Sequence, residues 1–105
     1  MTATIYDLER VHEAARCQRV FLNRTVQRDH ESLGYTFNDV CKCLEELTLA
    51  DYSGVFETDD GKRFDVYKPK FAHGPGLDAL YVKLSEQSKA TLPQVALGSF
   101  HLQRI

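Results

Sequence analysis

The sequence predicts an α+β fold: two to three N-terminal helices packed on an antiparallel sheet. Three observations lead there. Apolar residues in the first half recur at three- and four-residue spacing, the period of a helix. In the second half they alternate, the period of a half-buried strand. Between two of the later apolar runs lies Thr58-Asp59-Asp60-Gly61, and Asp-Gly accepts the positive φ that a tight hairpin turn needs. Helices first and a strand meander afterwards is the α+β order.

Taken in sequence, Leu8, Val11 and Ala15 form one helical stripe, with Asp7 as its N-cap. Val20 to Leu22 is short and apolar, which suits a strand. Thr25 is placed to cap a second helix with Val26 and Leu33 inward, and Gly34 ends it. Thr36 opens the clearest helix. Phe37, Val40, Cys41 and Leu44 fall at i, i+3, i+4 and i+7, and Asp39 sits where a capping box needs its acid.

Val55–Phe56 and Phe64–Val66 flank the Asp-Gly turn as hairpin strands. A strand over Arg63–Lys70 should end or reach an edge at Pro69, which has no N–H to give the ladder. His73-Gly74-Pro75-Gly76 reads as a loop. Leu80, Val82 and Leu84 then alternate with Tyr81 and Lys83, a half-buried strand. The last strand, Gln94 to Leu102, is apolar on both parities (Val95, Leu97; Ala96, Phe100), which places it centrally. No repeat, linker or low-complexity segment interrupts the chain, so residues 1–105 read as a single domain.

Hydrophobic residues make up 43% and charged residues 27%, an ordinary balance for a globular domain. No apolar run approaches the roughly 20 residues of a membrane helix, and no basic leader precedes an apolar stretch. Three cysteines, Cys17, Cys41 and Cys43, with no export signal point to reduced thiols in the cytoplasm.

The net charge of −2 hides a local basic stretch. From Lys62 to His73 the chain reads KRFDVYKPKFAH, with Lys62, Arg63, Lys68 and Lys70 against one aspartate and with Phe64, Tyr67 and Phe71 between them. Such a stripe suits an RNA backbone. On charge alone, a solvated strand edge whose lysines discourage aggregation is the simpler reading.

Familiar catalytic signatures are absent: there is no HExxH, Walker loop, GxSxG or GxGxxG. Cys41-x-Cys43 is poor metal geometry, because residues two apart on a helix point about 200° away from each other. Cys41 belongs to the apolar stripe. His12 and His30 lie near such stripes and read as hydrogen-bonded packing residues, while His73 sits in the Gly/Pro loop, open to substrate or to solvent.

One constellation remains. Tyr81 and Lys83 share a strand face opposite Leu80, Val82 and Leu84, and His101 shares its parity with Ser99. If the last two strands pair across the Ser85–Pro93 connection, Tyr81, Lys83 and His101 meet on one face; register decides it. Such a face suits metal-independent RNA cleavage, in which a ribose 2′-hydroxyl attacks the neighbouring phosphorus. One proton must be taken, another given to the leaving 5′-oxygen, and the transition-state charge neutralised. Histidine is the side chain that exchanges protons near neutral pH, so His101 is the candidate acid or base. Tyr81 would orient the phosphate or act as acid, and Lys83 with Arg63 would stabilise charge. The alternative is that Tyr81 packs on a neighbouring strand while Lys83 and His101 are surface residues.

The stretches LGYTFNDVCKCLEELTLADY, FDVYKPK, LYVKL and VALGSFHL resemble, in order and spacing, the MqsR toxins of the RelE-like ribonuclease class. The resemblance runs from about Tyr6 to Leu102, with Asp65-Val66-Tyr67-x-Pro69 its most specific motif. It implies a RelE-like sheet against helices and cleavage of single-stranded mRNA without metal or cofactor. It also implies a DNA-binding, neutralising cognate antitoxin and inhibition of translation and growth. The family's active-site tyrosine falls on Tyr81, and its catalytic lysine falls on His101. A further family lysine falls near Ser53 and a glutamine on Phe64, so those two positions carry no corresponding group. Two functions follow: an mRNA interferase toxin using Tyr81, His101 and Lys83 with Lys62, Arg63, Tyr67, Lys68 and Lys70 on RNA, or a catalytically weakened module of the same fold that binds RNA or antitoxin.

Overall fold

The computed structural model describes residues 4–86 and 91–103. In it, α1 (Leu8–Arg16), β1 (Val20–Leu22), α2 (Arg24–Ser32) and α3 (Phe37–Glu45) lead through a 3₁₀ turn at Leu49–Asp51 into β2 (Tyr52–Glu57). There follow β3 (Arg63–Tyr67), β4 (Lys70–His73), β5 (Gly76–Glu86) and β6 (Val95–Leu102). The six strands make one sheet in the order β1-β6-β5-β3-β2, with β4 pairing the first half of β5. The expected α+β architecture is therefore present. The connection anticipated at Ser85–Pro93 lies partly outside the described residues, and β5 itself runs on to Glu86.

The helix starts follow from their caps. Asp7 accepts the Glu9 amide, and Thr36 and Asp39 form the reciprocal capping box. The second helix begins two residues earlier than expected: Asn23, not Thr25, caps it by accepting the Val26 amide at 2.8 Å. Asparagine and threonine are both good caps. The observed hydrogen bond decides between them, and Val26 then packs into the core from the first turn.

Two features of the sheet differ from a simple antiparallel meander. First, β1 joins the sheet edge parallel to β6, with Val20 opposite Val95 and Leu22 opposite Leu97. The sheet is therefore mixed, and β6 is central as expected. Second, β6 carries a bulge. Lys83 pairs with Ser99 but Leu84 pairs with Leu97, which leaves Gly98 unpaired. The extra residue flips side-chain parity, so Val95, Leu97 and Phe100 all face the helices. This resolves the two-parity apolar pattern of that strand.

The Asp-Gly turn closes β2 and β3 as anticipated, with Gly61 at φ +88°. Pro69 ends β3, and the chain restarts as β4 against the other half of β5. The Gly74-Pro75 loop turns β4 into β5.

The core lies between the helices and one sheet face. Val11, Ala14, Val40 and Leu44 from the helices meet Tyr67, Leu80, Val82, Leu84, Val95 and Phe100 from the strands, all fully buried. Cys41 and Cys43 are buried with them, and burial pushes their thiols up to about 11 and about 12. His30 is buried too, its Nδ1–H donating to the Tyr35 carbonyl at 2.9 Å. His12 donates to the Leu47 carbonyl at 2.8 Å. Both histidines are packing residues.

Polar ties join the layers. Arg10 on α1 pairs with the buried Glu86 at the end of β5. Asp65, fully buried in β3, accepts the Ile5 and Tyr6 amides at 3.0 and 2.9 Å and pins the N-terminal segment to the sheet. That carboxylate gives the Asp-Val-Tyr motif its structural reason. Among the described residues, no helix covers the opposite sheet face.

Candidate active site

Side chains on the open face come from β5 positions that alternate with Leu80, Val82 and Leu84, and from β6 positions after the bulge. Tyr81 lies directly opposite His101, and Lys83 opposite Ser99. Register, which the sequence left open, here brings Tyr81, Lys83 and His101 onto one face. The Tyr81 and His101 rings stack, with centroids 5.2 Å apart and planes 10° from parallel. Together with Lys68, Lys83, Ser99 and Gln103 they line a groove of about 360 Å³.

The His101 ring has a defined orientation. Its Nδ1 lies 2.7 Å from the Leu102 carbonyl. A carbonyl only accepts, so Nδ1 carries the hydrogen. In a neutral imidazole this leaves the Nε2 lone pair as the available base.

Lys83 is held as well. Its Nζ sits 3.9 Å from the centroid of Phe56 and 5.4 Å from that of Phe64. Cation–π attraction of this kind fixes a long side chain beside the groove. Gly98 makes the space: a Cβ there would come 3.1 Å from Lys83 Cε and 3.0 Å from Phe64 Cε1. A second hollow of about 190 Å³, lined by Ser53, Gly54, Phe56, Lys68 and Tyr81 among others, adjoins the groove.

The anticipated basic stripe does not lie along one groove. Lys68 enters the Tyr81 groove, and Lys70, opposite Ala79, shares its sheet face. Lys62 and Arg63 lie at the far end of the β2–β3 hairpin and line a different groove, where Arg63 also pairs with Glu57 at 3.5 Å. Tyr67 has to be removed from the RNA-contacting set. It pairs with Val82, points to the helices and is fully buried, because β3 alternates and Val66 takes the open face. Burial raises the Tyr67 hydroxyl well above the usual phenol range.

His73 lies outside the Tyr81 groove, and part of its side chain stays exposed. It stacks on Tyr35 on the helix side, with ring centroids 4.0 Å apart, and its Nε2 lies 3.5 Å from Asp39 Oδ2. Ser53 and Phe64, where the resemblance expects a lysine and a glutamine, do lie on the open face beside Lys83 and Tyr81. Sequence reasoning missed Phe56 and Gly98. The only trace of Gly98 was the apolar pattern that changes parity across it.

Among the described residues no group of three or more His, Cys, Asp or Glu side chains is arranged to hold a metal ion. No described helix is long and apolar enough to cross a membrane. No curated protein matches the chain. A family model described as motility quorum-sensing regulator, toxin of MqsA, matches residues 3–101, nearly the whole chain.

Proposed function

The chain belongs to the MqsR family of toxins, and on that premise we propose that it is a cytoplasmic mRNA interferase: a metal-independent endoribonuclease that halts translation and growth by cutting mRNA. Membership makes it the toxin half of a toxin–antitoxin pair, with an antitoxin as its partner. The finer reading, cleavage at the Tyr81–His101 groove, rests on chemistry.

The observation that carries it is the stacked Tyr81–His101 pair beside two lysines in one groove. In-line attack by a ribose 2′-oxygen forms the O2′–P bond and breaks the P–O5′ bond. His101 Nε2, its other nitrogen committed to the Leu102 carbonyl, takes the 2′-hydroxyl proton. The Tyr81 hydroxyl, on the neighbouring strand, supplies a proton to the departing 5′-oxygen. Lys83 and Lys68 offset the charge that builds on the non-bridging oxygens. The products are a 2′,3′-cyclic phosphate and a 5′-hydroxyl. The 2′-hydroxyl route asks for no metal.

A second reading, a binding module with little catalysis, draws support from Ser53 and Phe64, which bring no proton-transfer or charged group to the same face. One assay separates the two. Purified protein is incubated with mixed single-stranded RNA from pH 5 to 8 and the ends are mapped. Cuts bearing cyclic phosphate, abolished in His101→Ala, support the enzyme; intact RNA that nonetheless binds supports the module.

A further inference from the structure

The open face does not end at the Tyr81 groove. Four residues further along β5, about 13 Å at strand rise, Ser85 opens into a second groove of about 550 Å³. Phe21, beside its cross-strand partner Ala96, and Phe64, packed against Gly98, line it together with Lys62 and Arg63. We propose that this groove is a second RNA subsite, which takes an unpaired nucleobase of the same strand whose scissile phosphate lies at Tyr81 and His101. The proposal deepens the ribonuclease reading and rests on it.

Several observations point to a base rather than to a general apolar patch. Phe21 is 54% exposed on an edge strand, although Val20 and Leu22 beside it turn towards the core. A phenylalanine ring left in water on a sheet face with no helix above it has a free π-face. The floor is shaped for a ring, because the missing side chain at Gly98 lets Phe64 lie across β6; a Cβ there would come 3.0 Å from the Phe64 ring. Aromatic faces beside two cations match the two halves of a nucleotide, a flat base and a phosphate.

Continuity with the first groove is the remaining point. Phe64 lines the second groove, and the Lys83 ammonium that lies 5.4 Å from its ring centroid lines the first. A strand crossing from one groove to the other passes over Lys83, the ammonium that faces the scissile phosphate in the first groove. Lys62, at the tip of the β2–β3 hairpin, would meet a phosphate further out. Bases in this groove make no chemistry; they hold the strand in place, so their loss should raise KM more than it lowers kcat.

The test uses the full chain and short, randomised single-stranded RNA, with 2′-O-methyl riboses for binding and ordinary riboses for cleavage. Phe21→Ala is the leading variant, since an exposed side chain can be removed without unfolding the sheet; Phe64→Ala follows it, and Phe21→Tyr should behave as wild type. Expected are a fivefold to hundredfold loss of affinity in Phe21→Ala, a raised KM with kcat largely kept, and insensitivity of that variant to an abasic ribose that weakens wild type. Wild-type cleavage with unchanged KM in both alanine variants overturns the subsite and leaves the ribonuclease reading intact. Loss of antitoxin binding in Phe21→Ala, with RNA affinity unchanged, assigns the groove to a protein partner and also overturns it. Wild-type protein that neither binds nor cuts RNA brings down both.

Discussion

Tyr81 and His101 are a directly opposed cross-strand pair whose rings stack 5.2 Å apart at the mouth of a lysine-lined groove. The stack uses the same register that turns Val82 and Phe100 into the core. A one-residue slip of either strand would drive that strand's polar ring into the core, so stability of the fold and geometry of the site are one constraint. Both side chains nonetheless lie outside the core, so replacing them tests the site while the register stays in place. His101→Ala should reduce RNA cleavage by about 10²–10⁴-fold, and Tyr81→Phe should also impair it while keeping the stack. Both should unfold within about 1 kcal/mol of wild type, because neither side chain is buried. Single-turnover cleavage and urea unfolding on the same preparations check this. Full activity in both variants would falsify the roles given to them.

Charge in the groove has its own signature. Lys68 and Lys83 reach it, whereas Lys62 and Arg63 lie elsewhere. For single strands each phosphate contact contributes about −0.7 to the slope of log affinity against log salt. Lys68→Ala should flatten that slope by about this amount, in anisotropy titrations from low to physiological salt. An unchanged slope would mean that Lys68 touches no phosphate.

Much of this arrangement was legible in the sequence because it depends on local rules. Thr36 with Asp39, Asp7 before Leu8, and Asp60-Gly61 between two apolar runs each specify a local geometry whatever surrounds them. Strand parity allowed Tyr81 and His101 to share a face, but register decided it, and register is not written in either strand alone. What was not legible depends on distant contacts. The parallel docking of β1 on β6 joins residues about seventy-five apart in sequence. Tyr67 looked like a member of a basic, aromatic stripe, yet alternation along β3 buries it while Phe64 and Val66 take the other face. The bulge at Gly98 was hidden because two apolar parities read equally well as a strand buried on both sides.

Asp65 bears on stability rather than on chemistry. Its carboxylate is fully buried and accepts two amides of the N-terminal segment. Asp65→Ala leaves those donors without their acceptor and should cost about 3 kcal/mol, read as a lowered urea midpoint. A change below about 0.5 kcal/mol would show that the segment does not depend on the carboxylate.

The three thiols should separate by reactivity. Cys17 is exposed, whereas Cys41 and Cys43 are buried, with their thiols raised to about 11 and about 12. Only a thiolate alkylates readily. At pH 8, iodoacetamide should label Cys17 alone in the folded protein and all three in urea, as counted by intact mass. Labelling of Cys43 at a comparable rate without urea would mean that α3 opens easily.

Asp39 gives the expected pH dependence. Its carboxylate accepts the Thr36 amide at 2.8 Å, and that hydrogen bond, with His73 nearby, holds its pKa below the usual carboxylate value. A folded pKa lower than the unfolded one means that the unfolded chain binds the proton more readily. The stabilisation is then fully present above about pH 4, the unfolded value, and is lost as pH falls through the folded one. Asp39→Asn removes this titration, so wild type should have the higher thermal midpoint above about pH 4. The gap should narrow as the pH drops further. A gap that stayed constant down to acid unfolding would show that the capping carboxylate contributes no pH-linked stability, and that the start of α3 is held by Thr36 and by packing alone.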